Sequence, residues 1–433
     1  MRLESPHRNA RSVSRGCHAG KIKKEVGRST DKEKQFFFTI SQADWFRFPG
    51  SSITKNLDYP LNKSGVVQIE LKTILPVNLQ YSIRMPFELY HLIAFLASMT
   101  VVLWCTPVVK TIGLKSGRVD RPNERKIHQR PMVRLGGVSI FAGTLAALLI
   151  VWGLGGFGLL PPDKEWEIWG VTLGGLAFFL IGLADDLFNL TSTSRLIMQI
   201  AVAALAWWTG VRIEFLSVPF DGLLHIGWLS LPVTVFWLVG MANAINWIDG
   251  LDGLASGVSG IAAVVMLIVT LFMNQSAAAL IAAALAGGAL GFLRYNFNPA
   301  EIFMGDGGAY FMGFTLAGVG VIGLVKTTAV TAVLLPYLIL AVPIVDMSVV
   351  IVSRLSQGKS PFIADKRHLH HRLLKAGISQ RLTVLFIYAL TLWVGSLALG
   401  FSNIPSGWGY AIGATMLLAY IGWQVWRNTR IRE

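Results

Sequence analysis

Residues 228–257 read WLSLPVTVFWLVGMANAINWIDGLDGLASG, an apolar run that ends in two asparagines and two aspartates. The part from 228 to 246 carries no charge. It is close to the ~20 residues a helix needs to cross a bilayer core of ~30 Å. Asn243, Asn246, Asp249 and Asp252 then follow at a spacing of three. Each such step advances a helix by about 300°, so the four drift slowly around one face. Gly250 and Gly253 are expected to unwind or end the helix and to leave backbone N–H groups for a ligand. Hard oxygen donors of this kind suit Mg2+, which keeps waters and shares phosphate oxygens. The acidic spacing and terminal glutamate of an EF-hand calcium loop are missing. The plainer reading is that asparagine and aspartate cap the helix and its turn.

The rest of the chain repeats this pattern of apolar runs with polar ends. Of 433 residues, 53% are hydrophobic and only 14% are charged, and mean hydropathy is +0.55. A soluble protein carries about 25% charged residues. Candidate spans fall at roughly 88–109, 136–156, 167–184, 194–210, 228–246, 254–273, 277–294, 308–325, 328–352, 382–402 and 407–426. The expected fold is therefore an all-α, polytopic transmembrane helical bundle of about 11 spans (10–11), with residues 85–433 as its domain.

A net charge of +14 would suit nucleic acid, but the basic residues sit mainly in loops between spans and in the N-terminal stretch. They are better read as topology signals and as contacts for anionic lipid or phosphate, so no nucleic-acid partner is expected. Cys17 lies in a polar stretch and Cys105 in an apolar run, which implies no disulfide framework. Residues 1–84 hold 15 Lys/Arg and seven Asp/Glu without a clean hydrophobic period. They are expected to form a disordered extension, or to lie upstream of a start near Met85, rather than to act as a secretory signal or transit peptide.

Loop charge assigns sides. Residues 110–134 carry eight Lys/Arg and residues 354–381 carry seven, whereas the alternate loops hold little beyond Lys164, Arg212 and Lys326. The positive-inside rule puts both basic loops and the C-terminus in the cytoplasm and the start of the first span outside. Every polar cluster then falls on the inner face. Asp185 and Asp186 end the third span in GLADDLFNL, and two adjacent carboxylates repel unless a cation lies near; the alternative is a solvated helix end. Asp306 lies between glycines just before an apolar span, where it suits a helix cap beside phosphate-binding N–H groups, and Phe303 is placed to stack on a planar ring. Residues 353–377 gather Arg354, Lys359, Lys366, Arg367, His368, His370, His371 and Arg372. With no cysteine near, these suit a phosphate better than Zn2+, or else form an ordinary basic loop. The first loop is similar, with Arg121, Arg125, Lys126, His128 and Arg134 around Pro122 and Pro131. Acids for a metal and a base, beside basic loops at the lipid interface, fit phosphoryl transfer from a soluble phosphoanhydride to a lipid phosphate.

The ordered series DRPNERKIHQRPMVRLGG (120–137), GLADDLFNL (182–190), NAINWIDGLDGLASG (243–257), NFNPAEIFMGDGG (296–308) and SPFIADKRHLHHRL (360–373) resembles the polyprenyl-phosphate N-acetylhexosamine-1-phosphate transferases, most of all their bacterial WecA/TagO branch. The resemblance runs from about residue 86 to the C-terminus. It implies a multi-pass enzyme of the bacterial cytoplasmic membrane, with its active site facing the cytoplasm. Such an enzyme moves GlcNAc-1-phosphate or another HexNAc-1-phosphate from a UDP-sugar to undecaprenyl phosphate and releases UMP. Its partners would be the UDP-N-acetylhexosamine, undecaprenyl phosphate, the lipid bilayer and a second copy in a homodimer. By motif, the resemblance implies that Asp185 is the base with Asp186 beside it, and that Asp306 and Asn246 hold Mg2+, or Mn2+ in its place. Asp249 and Asp252 would belong to the nucleotide pocket and Phe303 would stack on uracil. Arg354, Arg367, His368, His370 and His371 would form the loop that grips diphosphate and sugar, and Arg195 would lie near the lipid phosphate.

The related MraY branch, which transfers phospho-MurNAc-pentapeptide, ends this loop in three successive histidines. This chain reads His368-Leu369-His370-His371, which favours the GlcNAc branch. A cation transporter is the rival of a different class. Its ion ligands would sit at midplane on broken helices rather than at span ends beside basic loops.

Overall fold

The computed structural model describes residues 86–117, 119–120, 131–218, 222–325, 330–358 and 367–430. The expected N-terminal extension, Arg121, Arg125, Lys126, His128, Lys359 and Lys366 lie outside them. In lipid, a backbone must satisfy its own polar groups, and helices do so within one segment. The described chain is accordingly helical apart from two short antiparallel pairs. These are β1 (Val119–Asp120) with β2 (Met132–Val133), and β3 (Phe215–Val218) with β4 (Gly222–His225).

The long helices are α1 (Phe87–Lys115), α2 (Gly136–Gly153), α3 (Pro162–Phe188), α4 (Ser192–Trp208), α5 (Ser230–Ile248), α6 (Leu254–Phe272), α7 (Ser276–Asn296), α8 (Gly305–Gly320), α9 (Val330–Ile339), α10 (Ala341–Leu355), α12 (Gln380–Phe401) and α13 (Gly407–Arg430), with a short α11 (Leu369–Lys375) before α12. Among the described residues, eight helices are long and apolar enough to cross a membrane. α4, the α9–α10 pair and α13 stand at the three other expected positions but do not meet that measure. The ninth expected span, 328–352, is two helices that meet at Leu340. Pro343 in the first turn of α10 has no N–H to return to the carbonyl four residues earlier, so the ladder is interrupted there.

α8 is the centre of the bundle, packed by α3, α5, α2 and α7. Its glycines at 305, 307, 308, 313, 318 and 320 let neighbouring helices approach to backbone distance. Every residue of α8 is buried except Asp306. Large apolar side chains such as Trp104, Trp208, Trp228 and Phe236 cover the outside of the bundle. The greasy interior of α8 thus ends in one accessible carboxylate, and the other polar clusters gather around it.

Candidate active site

The N-terminus of α8 brings three carboxylates together. Gly305 has a φ of +76°, and a side chain there would strike the Arg134 carbonyl and the Asp186 carboxylate. The turn that follows exposes N–H groups with no partner inside the helix. Asp186, in the last turn of α3, accepts the N–H of Asp306 at 3.1 Å and of Gly307 at 3.0 Å. The Asp306 side chain takes the amide of Asn246, Nδ2 to Oδ1 at 2.8 Å, from the end of α5. Gly182 of α3 lies against the Asp306 backbone with no room for a methyl group. The start of α2 is stitched to the same strip of chain: Gly136 and Gly137 donate to the carbonyls of Phe303 and Met304, and Phe303 donates to Val133. This fixes Arg134, whose Nη2 lies 3.3 Å from Asp306 Oδ1 and 3.7 Å from Asp186 Oδ1.

Asp185 points to a different partner. Its Oδ1 accepts the N–H of Leu190 at 2.8 Å, and its Oδ2 pairs with the Arg195 guanidinium in the first turn of α4. Thr191 caps that helix by accepting the Ser194 N–H. The same Arg195 nitrogen is 3.8 Å from Asp306 Oδ2. Three carboxylates are therefore faced by two guanidiniums. This leaves an excess of negative charge beside cationic groups that suit phosphate.

The end of α5 extends the site. Trp247, next to Asn246, has the Arg354 guanidinium 5.2 Å from its ring centre and the His368 ring edge-on at 6.0 Å. Gly250 packs directly on His370. The rings of His368 and His370 stack at 5.7 Å, and those of His370 and His371 lie 4.3 Å apart. Burial, together with the neighbouring His371 and His368, lowers the His370 pKa to about 3, so this ring is neutral near pH 7. Asp249 ends α5. Burial raises its carboxyl to about 7; Arg134 opposes this, and the nearby acids Asp306, Asp186 and Asp252 add to it.

The structure thus brings Asp185, Asp186, Asp306, Asn246 and Arg195 into one pocket, and Arg354, His368 and His370 onto the adjoining end of α5, with His371 beside His370. Arg367 is turned to α10, donating to Ser353 Oγ at 2.7 Å and Gln357 Oε1 at 2.6 Å. Asp252 accepts from Asn298 Nδ2 at 2.9 Å and Ala300 N at 3.1 Å, which ties the α5–α6 turn to the loop before α8. Phe303 is half-buried on that loop. Sequence reasoning missed Asp346 of α10, which accepts from His368 Nδ1 at 2.8 Å and the Leu369 N–H at 2.7 Å. The signal was present, since an acid in an otherwise apolar span is costly unless partnered.

No group of three His, Cys, Asp or Glu side chains among the described residues forms a ready-made metal centre. Mg2+ needs less from a protein, namely one or two oxygen ligands, with phosphates and waters supplying the rest. Asp306 with Asn246 offers that oxygen set, next to uncompensated negative charge, so the residues fit the ion.

Residues 168–324 match the family model described as glycosyl transferase family 4. A Bacillus subtilis (strain 168) protein described as a probable undecaprenyl-phosphate N-acetylglucosaminyl 1-phosphate transferase is 37% identical over 299 residues, 69% of this chain and 81% of the relative. A Mycolicibacterium smegmatis protein described as a decaprenyl-phosphate N-acetylglucosaminephosphotransferase is 32% identical over 358 residues, 75% of this chain and 86% of the relative. A Salmonella typhi undecaprenyl-phosphate alpha-N-acetylglucosaminyl 1-phosphate transferase is 28% identical over 289 residues, 63% of this chain and 74% of the relative. The arrangement at the head of α8 and these similarities agree, and the chain belongs to the polyprenyl-phosphate N-acetylhexosamine-1-phosphate transferase family.

Proposed function

We propose that this multi-pass membrane protein transfers N-acetylglucosamine 1-phosphate from UDP-GlcNAc to undecaprenyl phosphate, giving the lipid diphosphate sugar and UMP, at the cytoplasmic face of the bacterial inner membrane. The observation that carries the reading is Asp306: the one unburied residue of the central helix, faced by Asp185, Asp186 and Asn246 and approached by Arg134 and Arg195. The acceptor lipid phosphate and the transferred N-acetylglucosamine 1-phosphate are those in the names borne by the relatives.

In the proposed reaction, an oxygen of the lipid phosphate attacks the phosphorus that carries the sugar. The bond from that phosphorus to the bridging oxygen breaks, and the bridging oxygen leaves with UMP. Such chemistry depends mainly on positioning and charge stabilisation. Arg195 suits the incoming lipid phosphate, and its contact with Asp185 puts a base within reach of that phosphate's proton. Arg134, Arg354 and His368 suit the diphosphate, and Asp249, Asp252 and Phe303 the nucleotide. Asp306 and Asn246 would hold Mg2+, which when bound offsets the charge of the diphosphate. Asp186 accepts the Asp306 and Gly307 N–H groups at the head of α8 and so holds that helix end, and the Asp306 side chain on it, in place.

The test incubates purified protein in detergent with undecaprenyl phosphate, radiolabelled UDP-GlcNAc and Mg2+. Labelled lipid and UMP should form, and EDTA should stop both. If neither product forms, the proposal is wrong, and competition by UDP-GalNAc defines the sugar.

A further inference from the structure

Asp346 lies in the second turn of α10, flanked by Val345 and Met347 in an apolar stretch. Its carboxylate uses both oxygens on one short segment: Oδ1 for the N–H of Leu369 at 2.7 Å and Oδ2 for His368 Nδ1 at 2.8 Å. The two side chains are each 8% exposed, so the pair is shielded from water. An ionised carboxylate only accepts hydrogen bonds, so the ring proton sits on Nδ1. Nε2, on the far side of the ring, is then the nitrogen left for another partner. His368 in turn borders Trp247, the neighbour of Asn246, which places the pair one residue along α5 from the contact to Asp306.

We propose that Asp346 is a positioning residue that acts through His368, setting its tautomer and ring orientation so that Nε2 meets the diphosphate of the donor. The inference rests on the reading of His368 as a diphosphate contact. It assigns a role to an acid that lies outside the motifs quoted above. Asp346 also accepts the first N–H of α11, so a merely structural part as a helix cap is the alternative to separate.

A double-mutant cycle separates them, using full-length protein, UDP-GlcNAc and undecaprenyl phosphate, with kcat, KM and thermal midpoint read for each variant. Asp346→Asn keeps an acceptor oxygen but loses the charge and can present an amide N–H to Nδ1. It should lower kcat by about 10–100-fold, the usual loss when the partner orienting a functional histidine is removed, with little change in the KM for the UDP-sugar. In a His368→Ala background, the same substitution should cost no further activity. Asp346→Glu, which keeps the carboxylate, should restore part of the lost kcat. It replaces Asp346→Asn in the cycle if that variant does not fold. Equal losses in both backgrounds, or losses that follow the thermal midpoint, would overturn the inference and leave the proposed function standing. Unchanged turnover in His368→Ala would overturn it and also remove His368 from the proposed site.

Discussion

The frame of the acid pocket at the head of α8 is held mainly through backbone groups, whereas the histidine arm beyond α10 is held mainly through side chains. In the pocket, Asp186 grips two peptide N–H groups, Gly182 lies on the Asp306 backbone, and α2 bonds to the carbonyls of Phe303 and Met304. In the arm, the seven-residue α11 hangs from Asp346, from Arg367 with its bonds to Ser353 and Gln357, and from rings packed beside Trp247. The difference suits two tasks. Groups that stabilise developing charge gain from being fixed before reaction. Groups that close on a substrate and release a product need contacts that can be remade. Changes in the pocket should therefore be close to all-or-none, and changes in the arm graded.

The largest effect is expected at the pocket's centre. Asp306→Asn should lower kcat by at least about 10²-fold, the scale for losing one preorganised electrostatic contact, with the thermal midpoint nearly kept. Near-normal turnover would show that the pocket is not where chemistry occurs. Gly182→Ala comes next. Its methyl group would meet the Asp306 backbone, and overpacking of this kind costs about 1–3 kcal/mol, so thermal midpoint and turnover should fall together. Gly240→Ala of α5, with nothing close to the added carbon, is the control and should leave both unchanged.

In the arm, the expected effect is a pH slope. Burial and its neighbouring histidines hold His370 at about 3, below its ordinary range near 6.5, so the unfolded chain binds a proton that the folded chain refuses. Stability should therefore fall as pH drops from about 6.5 toward 3, by at most about 1.4 kcal/mol per pH unit for one proton. His370→Asn should flatten that slope in thermal melts, and an unchanged slope would assign it to other groups. The smallest effect lies at the rim, where Lys110 pairs with Glu301 at 2.7 Å with both side chains partly exposed. Lys110→Gln should cost less than about 1 kcal/mol, less still in high salt.

Much of the pocket is legible in the sequence, because acids and amides in so apolar a chain are costly and stand out. Asp185, Asp186, Asn246 and Asp306 announce themselves in this way. Their division of labour does not. Asp185 and Asp186 read as a repelling pair, yet one turns to Arg195 and the other to the peptide groups of α8, because successive helix residues point about 100° apart. Asp252 reads as sharing a helix face with Asp249, but the turn at Gly250 takes it off the helix, where it accepts from Asn298 and Ala300. Asp346 was hidden inside the run 328–352, which reads as one span until Pro343 breaks it. Trp247 is one of 14 tryptophans, and nothing in sequence separates a site tryptophan from one that faces lipid.

The most direct test of the account is Asp185→Asn, assayed for turnover with undecaprenyl phosphate and for UDP-GlcNAc binding by calorimetry. As a base beside the acceptor phosphate, Asp185 should be needed for the chemical step, so turnover should drop by about 10²–10⁴-fold while donor binding is kept. Lost donor binding, or turnover close to that of the unaltered protein, would contradict it.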